Sequence, residues 1–200
     1  MAGIISLGFA FLLALSYRVA GKRSATKASV FYIWGLCALA AVAVVPEQYV
    51  FRFPVVDTTV FALAAVPMLT NAIISQYSNY HPTGTTDRIH FIIVYPIAEE
   101  IVFRGLLIPI LNRSFSRPVV EWFDVPVTLS IVIAASLFAI ARLQRYKLNP
   151  ASVKYMLFAF CGGIVFGVIA NSTQSILIPV LLHVEYNLLA VYYSSKMRTD

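Results

Sequence analysis

Charge is what this sequence has least of. Of its 200 residues 12% are charged against 60% hydrophobic, and the mean hydropathy is +0.80. Those proportions exclude an ordinary soluble domain, in which about a quarter of residues are charged, and the length excludes several membrane domains. Cysteine is scarce too. Cys37 and Cys161 lie in apolar runs with no CxxC or CxxxH neighbour, so they define neither a disulfide framework nor a metal site. No GxSxG elbow and no Ser–Lys arrangement frames Ser130 or Ser136, which disfavours a serine nucleophile. The net charge of +6 comes without a basic stripe or base-stacking module, so no nucleic-acid partner is expected. The opening MAGIISLGFAFLLALSYRVAGKR has its basic residues after the apolar run rather than before it. That is the reverse of a cleavable signal peptide, and a retained first helix with its amino end outside is expected. Neither end carries a lipidation pattern.

What remains is hydrophobic length. Seven apolar runs, near 3–19, 29–46, 57–76, 89–111, 125–142, 153–170 and 175–194, approach the 17–25 residues that span a bilayer. They predict an all-α fold: a polytopic transmembrane bundle of about seven helices, forming one integral membrane domain. Its front part covers residues 1–88, and its chemical core covers 89–200, after the polar break QYSNYHPTGTTDR. Arg18, Lys22, Arg23 and Lys27 fill the first loop, and Arg142, Arg145, Lys147 and Lys154 a later loop on the same side. The alternate loops pair their charges instead. Lysine and arginine excess marks the cytoplasmic side, so the amino end is expected outside and the carboxyl end inside, in the plasma membrane if the host is bacterial. The GxxxG spacing of Gly163 and Gly167 lets another helix approach closely.

The stretch YPIAEEIVFRGLLIPI, residues 95–110, sets three ionisable groups in a membrane-grade run. Each costs about 2.5–3.5 kcal/mol to insert, so each needs a compensating reason to be there. Glu100 precedes Arg104 by four residues, in the favourable order for a helical ion pair. Glu99 points about 100° away, and the sequence sets no basic residue three or four positions from it. Pro96 withholds one backbone hydrogen bond and is expected to kink the helix. In the last run, Pro179, His183 and Asn187 are spaced by fours, which aligns imidazole and amide on one face. Glu185 and Tyr186 point elsewhere. Glu99, His183 and Asn187 are thereby expected around one cavity. A poorly solvated carboxylate is a stronger base for activating water, and His and Asn donors can stabilise the oxyanion formed on attack. Those are the parts of a peptide hydrolysis with water as the nucleophile and no cofactor. A divalent metal is disfavoured, because one histidine, carboxylates and an amide make a poor zinc set.

EEIVFR, residues 99–104, resembles the EExxxR motif of the CAAX prenyl endopeptidases and the related bacterial CPBP proteins, which include bacteriocin-processing and immunity proteins. SLFAIAR resembles their FxxxH segment, and GGIVFGVIANSTQSILIPVLLHVEYN their glycine-rich turn and HxxxN helix. The three blocks stand in order over about the last hundred residues, whereas the first three helices contribute hydropathy alone. The resemblance implies an intramembrane endopeptidase in which Glu99 activates water and His183 with Asn187 holds the oxyanion, supported by Glu100 and Arg104. It implies a membrane-associated peptide or lipidated protein tail as substrate. It also implies a histidine where this chain has Arg142. An arginine is no general base, and pairing directly with Glu99 would make that acid a poorer one. Position alone favours Arg142 snorkelling to the cytoplasmic interface beside Arg145 and Lys147. The alternative is a catalytically degenerate member acting as a membrane binding or immunity protein.

Overall fold

The computed structural model describes residues 24–78, 80, 82–122, 124–144 and 148–196. The expected helix over 3–19 lies outside the described residues, as do Arg145 and Lys147. Among the described residues the chain is mostly helical. We label the helices α1 Ser24–Val44, α2 Thr58–Ile74, α3 over residues 85–115, α4 Leu129–Ala141, α5 Pro150–Thr173 and α6 Leu177–Lys196. The stretches Thr58–Tyr77 and Ser152–Thr173 are each long and apolar enough to cross a membrane.

Local chemistry fixes several of these ends. The Asp57 carboxylate accepts the Val60 N–H at 2.8 Å and starts α2. Asn149 and Ser152 form a reciprocal capping box ahead of α5, with Pro150 in the first turn, where its missing N–H costs nothing. At the far end Gln174 turns into the left-handed region, φ 54°, and α6 follows almost directly.

Helix α3 is continuous but changes register twice, with π turns over His90–Val94 and Ile101–Leu107. Prolines explain what becomes of the carbonyls this frees. In the α register the Gly105 carbonyl would need an N–H from Pro109, which has none; the Tyr49 N–H reaches it instead at 3.0 Å. Pro179 likewise leaves the Ser175 carbonyl to the Thr173 hydroxyl at 3.1 Å. The expected break at Pro96 is thus taken up as a register shift within an unbroken helix.

Three expectations need correction. The run over 125–142 is not one helix, and the chain is not wholly α. Its first part, Val125–Thr128, is a strand, β2, paired antiparallel with β1, Pro118–Trp122. β-branched valines suit a pleated ribbon as well as an apolar helix, so hydropathy alone does not separate the two. The turn residue Asp124 sits at φ 60°. The glycines at 162, 163 and 167 are in helix α5 rather than in a turn. Two of them serve close approach: a Cβ on Gly163 would come within 2.9 Å of the Ala135 Cβ, and one on Gly167 within 2.8 Å of Ile131 Cγ2. The GxxxG pair therefore seats α4 against α5.

The distribution of polarity is inverted. Leu36, Phe61, Leu69, Leu157, Leu181 and Leu188 are exposed, while Glu99, Glu100, Arg104, Asn71, His183 and Asn187 are buried. An outer surface this apolar around a charged interior is what hydrocarbon, not water, stabilises.

Candidate active site

The buried groups converge on a cavity of about 310 Å³ whose lining includes Asn71, Glu99, Arg104, Arg142, His183 and Asn187. Four of these lie on α3 and α6, Arg142 follows α4, and Asn71 comes from α2. The expected convergence of Glu99, His183 and Asn187 is therefore present.

Glu100 is the hinge of the arrangement. It is 0% exposed, and its Oε1 accepts from Arg104 Nη1 at 2.9 Å and lies 2.8 Å from His183 Nδ1. The four-residue spacing thus yields the ion pair expected from the sequence. The pair is one-pronged: Glu100 Oε2 and Arg104 Nη2 are buried without a hydrogen-bond partner. Arg104 is held by rings as well, its Cζ 4.3 Å from the Phe138 centroid and 5.8 Å from that of Phe166. The same two aromatics pack on His183, at centroid separations of 6.3 and 5.9 Å, so the imidazole is clamped as well as hydrogen-bonded.

Glu99 turns away from that pair, as the helical repeat requires, and is 8% exposed. Its Oε2 lies 3.9 Å from His183 Nε2 and accepts from Arg142 Nη2 at 3.0 Å. Arg142 therefore does not snorkel. Its Cζ stacks 4.5 Å from the Phe138 centroid, and its side chain is 24% exposed. Phe138, one turn before Arg142, supplies a surface along which the guanidinium reaches inward.

Asn187 has a second duty that its spacing does not reveal. Its Nδ2 donates to the Phe91 carbonyl at 2.7 Å. The Tyr95 N–H is spent on His90 O in the π register, and the next position, Pro96, has no N–H. The Phe91 carbonyl is left open, and the amide closes it with one of its two hydrogens. Asn71 was not singled out from sequence at all. It is 4% exposed, and its Nδ2 donates to Leu182 O at 3.0 Å and Glu185 Oε2 at 2.8 Å, tying α2 to α6. The signal was available: Pro67 precedes Asn71 by four residues, as Pro179 precedes His183. His90 interacts with Tyr32 and Tyr95 and does not itself line the cavity.

A helical bundle with an apolar exterior brings the buried Asn71, Glu99, Arg104, His183 and Asn187 and the half-buried Arg142 to one cavity. Residues 83–189, more than half of the chain, match the family model described as type II CAAX prenyl endopeptidase Rce1-like, and the chain belongs to that family. That stretch runs from just ahead of α3 into α6 and contains Glu99, Arg142, His183 and Asn187. No curated protein and no solved structure matches the chain.

Proposed function

We propose that the protein is an intramembrane endopeptidase that hydrolyses a peptide bond of a membrane-associated peptide or lipidated protein tail, using water as nucleophile. The observation that carries this reading is a buried carboxylate, Glu99, with an imidazole nitrogen 3.9 Å from it at the wall of one cavity. Water held there is polarised by the acid, and the uncommitted N–H of Asn187 is available to a developing oxyanion. No metal is needed in this scheme. Arg142, 3.0 Å from Glu99 Oε2, already supplies a cation at the oxygen that a metal would require. The protein sits in a bilayer, the plasma membrane if its host is bacterial, with the amino end outside and the carboxyl end cytoplasmic. The basic residues gathered between α4 and α5 support this orientation.

A second reading is favoured by the Arg142–Glu99 contact. A guanidinium on the acid competes with water for it, as expected of a member that keeps the cavity but binds rather than cleaves. Full-length protein in detergent, incubated with an internally quenched peptide library ending in free carboxylates, with and without S-farnesyl cysteine, separates the two. The protease reading expects cleavage that Glu99→Ala abolishes while the thermal unfolding curve is kept. Cleavage persisting in Glu99→Ala contradicts the role given to that acid. A cellular phenotype that survives Glu99→Gln but is lost on filling the cavity supports the binding reading.

A further inference from the structure

We propose that Asn71 is a substrate-binding residue: its Oδ1, presented to the cavity by α2, accepts a backbone N–H of the bound peptide and so selects a secondary amide at that linkage. The substrate assigned to it rests on the protease reading above; the orientation of the amide does not.

Helix α2 buries one stripe, Val60, Leu63, Pro67 and Asn71, and leaves apolar side chains such as Phe61 and Leu69 exposed on its other faces. Asn71 is the polar member of that stripe and is 4% exposed. An amide so placed costs stability unless its hydrogen-bonding groups are met. Its donors are met. Nδ2 gives one hydrogen to Leu182 O at 3.0 Å and the other to Glu185 Oε2 at 2.8 Å, both on α6. A flipped amide would set Oδ1 against a carbonyl and a carboxylate, so the partners themselves assign nitrogen and oxygen. What Asn71 has left is an acceptor.

That acceptor is open. Oδ1 receives no hydrogen bond from any described residue. Nor is it sealed in: among the described residues the enclosed side-chain polar atoms without a partner are Ser75 Oγ, Glu100 Oε2 and Arg104 Nη2, so an unbonded Oδ1 has space beside it. Asn71 lines the cavity, whereas Leu182 and Glu185, which hold its nitrogen, do not. The free side of the amide is therefore the cavity side. The tie between α2 and α6 needs only the two N–H groups, and the acceptor is surplus to it.

The donor that suits this oxygen is one a peptide carries at every ordinary linkage. In hydrocarbon each backbone N–H must find an acceptor in protein, because water is not there to supply one. An extended segment presents both N–H and C=O, and the cavity offers a partner for each: Asn71 Oδ1 from α2, and the second hydrogen of Asn187 from α6. A proline, or an ester in place of the amide, has no hydrogen to give. A site built to bond an N–H rejects an analogue lacking it more strongly than a site that only fits its shape. Asn71 lies outside residues 83–189, so this contact is not carried by the segment that matches the family.

Equilibrium binding to the full-length protein in detergent tests this without requiring turnover. The probe is the library peptide held most tightly, labelled with fluorescein at its amino end and read by fluorescence polarisation in the Glu99→Ala background. It is compared with a series in which each backbone amide in turn is replaced by an ester. At one linkage the ester is expected to bind about tenfold more weakly, and Asn71→Leu, which offers no acceptor, is expected to bind amide and ester within about twofold of each other. If Asn71→Leu alone does not fold, Asn71→Leu with Glu185→Leu removes the polar pair together and takes its place. A variant that merely loosens α2 weakens amide and ester alike and keeps the tenfold ratio. That result overturns the proposal, as does a series with no sensitive linkage or a protein that holds no library peptide. An ester penalty that vanishes with Asn71→Leu, in a protein whose wild type cleaves nothing, sinks the protease reading and leaves the peptide contact standing.

Discussion

Two polar clusters stand out among the described residues, and they are finished differently. Tyr49, Asn112, Thr128, Ser130, Asn171 and Gln174 form a network without formal charge. Asn112 Nδ2 donates to Asn171 Oδ1 at 2.8 Å, Ser130 Oγ lies 2.5 Å from Asn112 Oδ1, and Gln174 Nε2 donates to the Tyr49 hydroxyl at 3.2 Å. None of its members lines the cavity. The second cluster, Glu99, Glu100, Arg104, Arg142 and His183, is charged, borders the cavity and leaves Glu100 Oε2 and Arg104 Nη2 without partners. A closed amide and hydroxyl network is what polarity looks like when it only has to lock helices together. Charges brought into an apolar interior with bonds left unmade cost stability, and they fit a site whose remaining capacity is for something that enters.

The largest expected effect breaks the charged cluster. Arg104→Met leaves Glu100 buried without its cation and should cost about 3–5 kcal/mol, seen as a large drop in thermal midpoint in detergent. An unchanged midpoint would mean the ion pair contributes nothing. Asn112→Ala is the matching cut in the neutral network. It takes one hydrogen-bond partner each from Ser130 and Asn171, which keep Thr128 and Tyr49, and should cost about 1 kcal/mol, with the cleavage rate per folded molecule unchanged. A rate that falls with Asn112→Ala would erase the distinction between the clusters. Arg142→His removes the guanidinium from Glu99 and introduces a titratable ring, and a several-fold gain in initial rate is expected. No gain would show that Arg142 does not restrain the acid.

The smallest effect belongs to neither cluster. Arg113 donates to Glu47 in the exposed loop after α1, and that bond holds the Glu47 carboxyl below its usual range. A lowered folded-state value contributes stability above the ordinary carboxylate pKa that is lost as pH falls through the folded one. Glu47→Gln should therefore flatten the acid side of the midpoint-against-pH curve slightly, and a steeper acid side would contradict the assignment.

The comparison also shows what a sequence can display. Glu100 with Arg104, and His183 with Asn187, were legible because each pair lies on one helix, where a spacing of four residues puts both side chains on one face. The destination of Arg142 was not, because its partner is 43 positions away and its path runs over Phe138, a contact that only packing creates. The neutral network was invisible for the same reason: Tyr49, Asn112 and Asn171 come from three separate parts of the chain and carry no shared motif. The strand β2 was hidden by its valines, which score as membrane helix. The π turns were hidden because hydropathy carries no record of register, though Pro96 and Pro109 marked where carbonyls would need other donors.

The most direct test is a single-turnover cleavage measurement on the same peptide with wild type, Glu99→Ala and Asn112→Ala, each corrected for its folded fraction. A rate abolished by Glu99→Ala and unchanged by Asn112→Ala is the predicted result. Equal rates in wild type and Glu99→Ala would contradict the claim that the buried acid at the cavity does the chemistry.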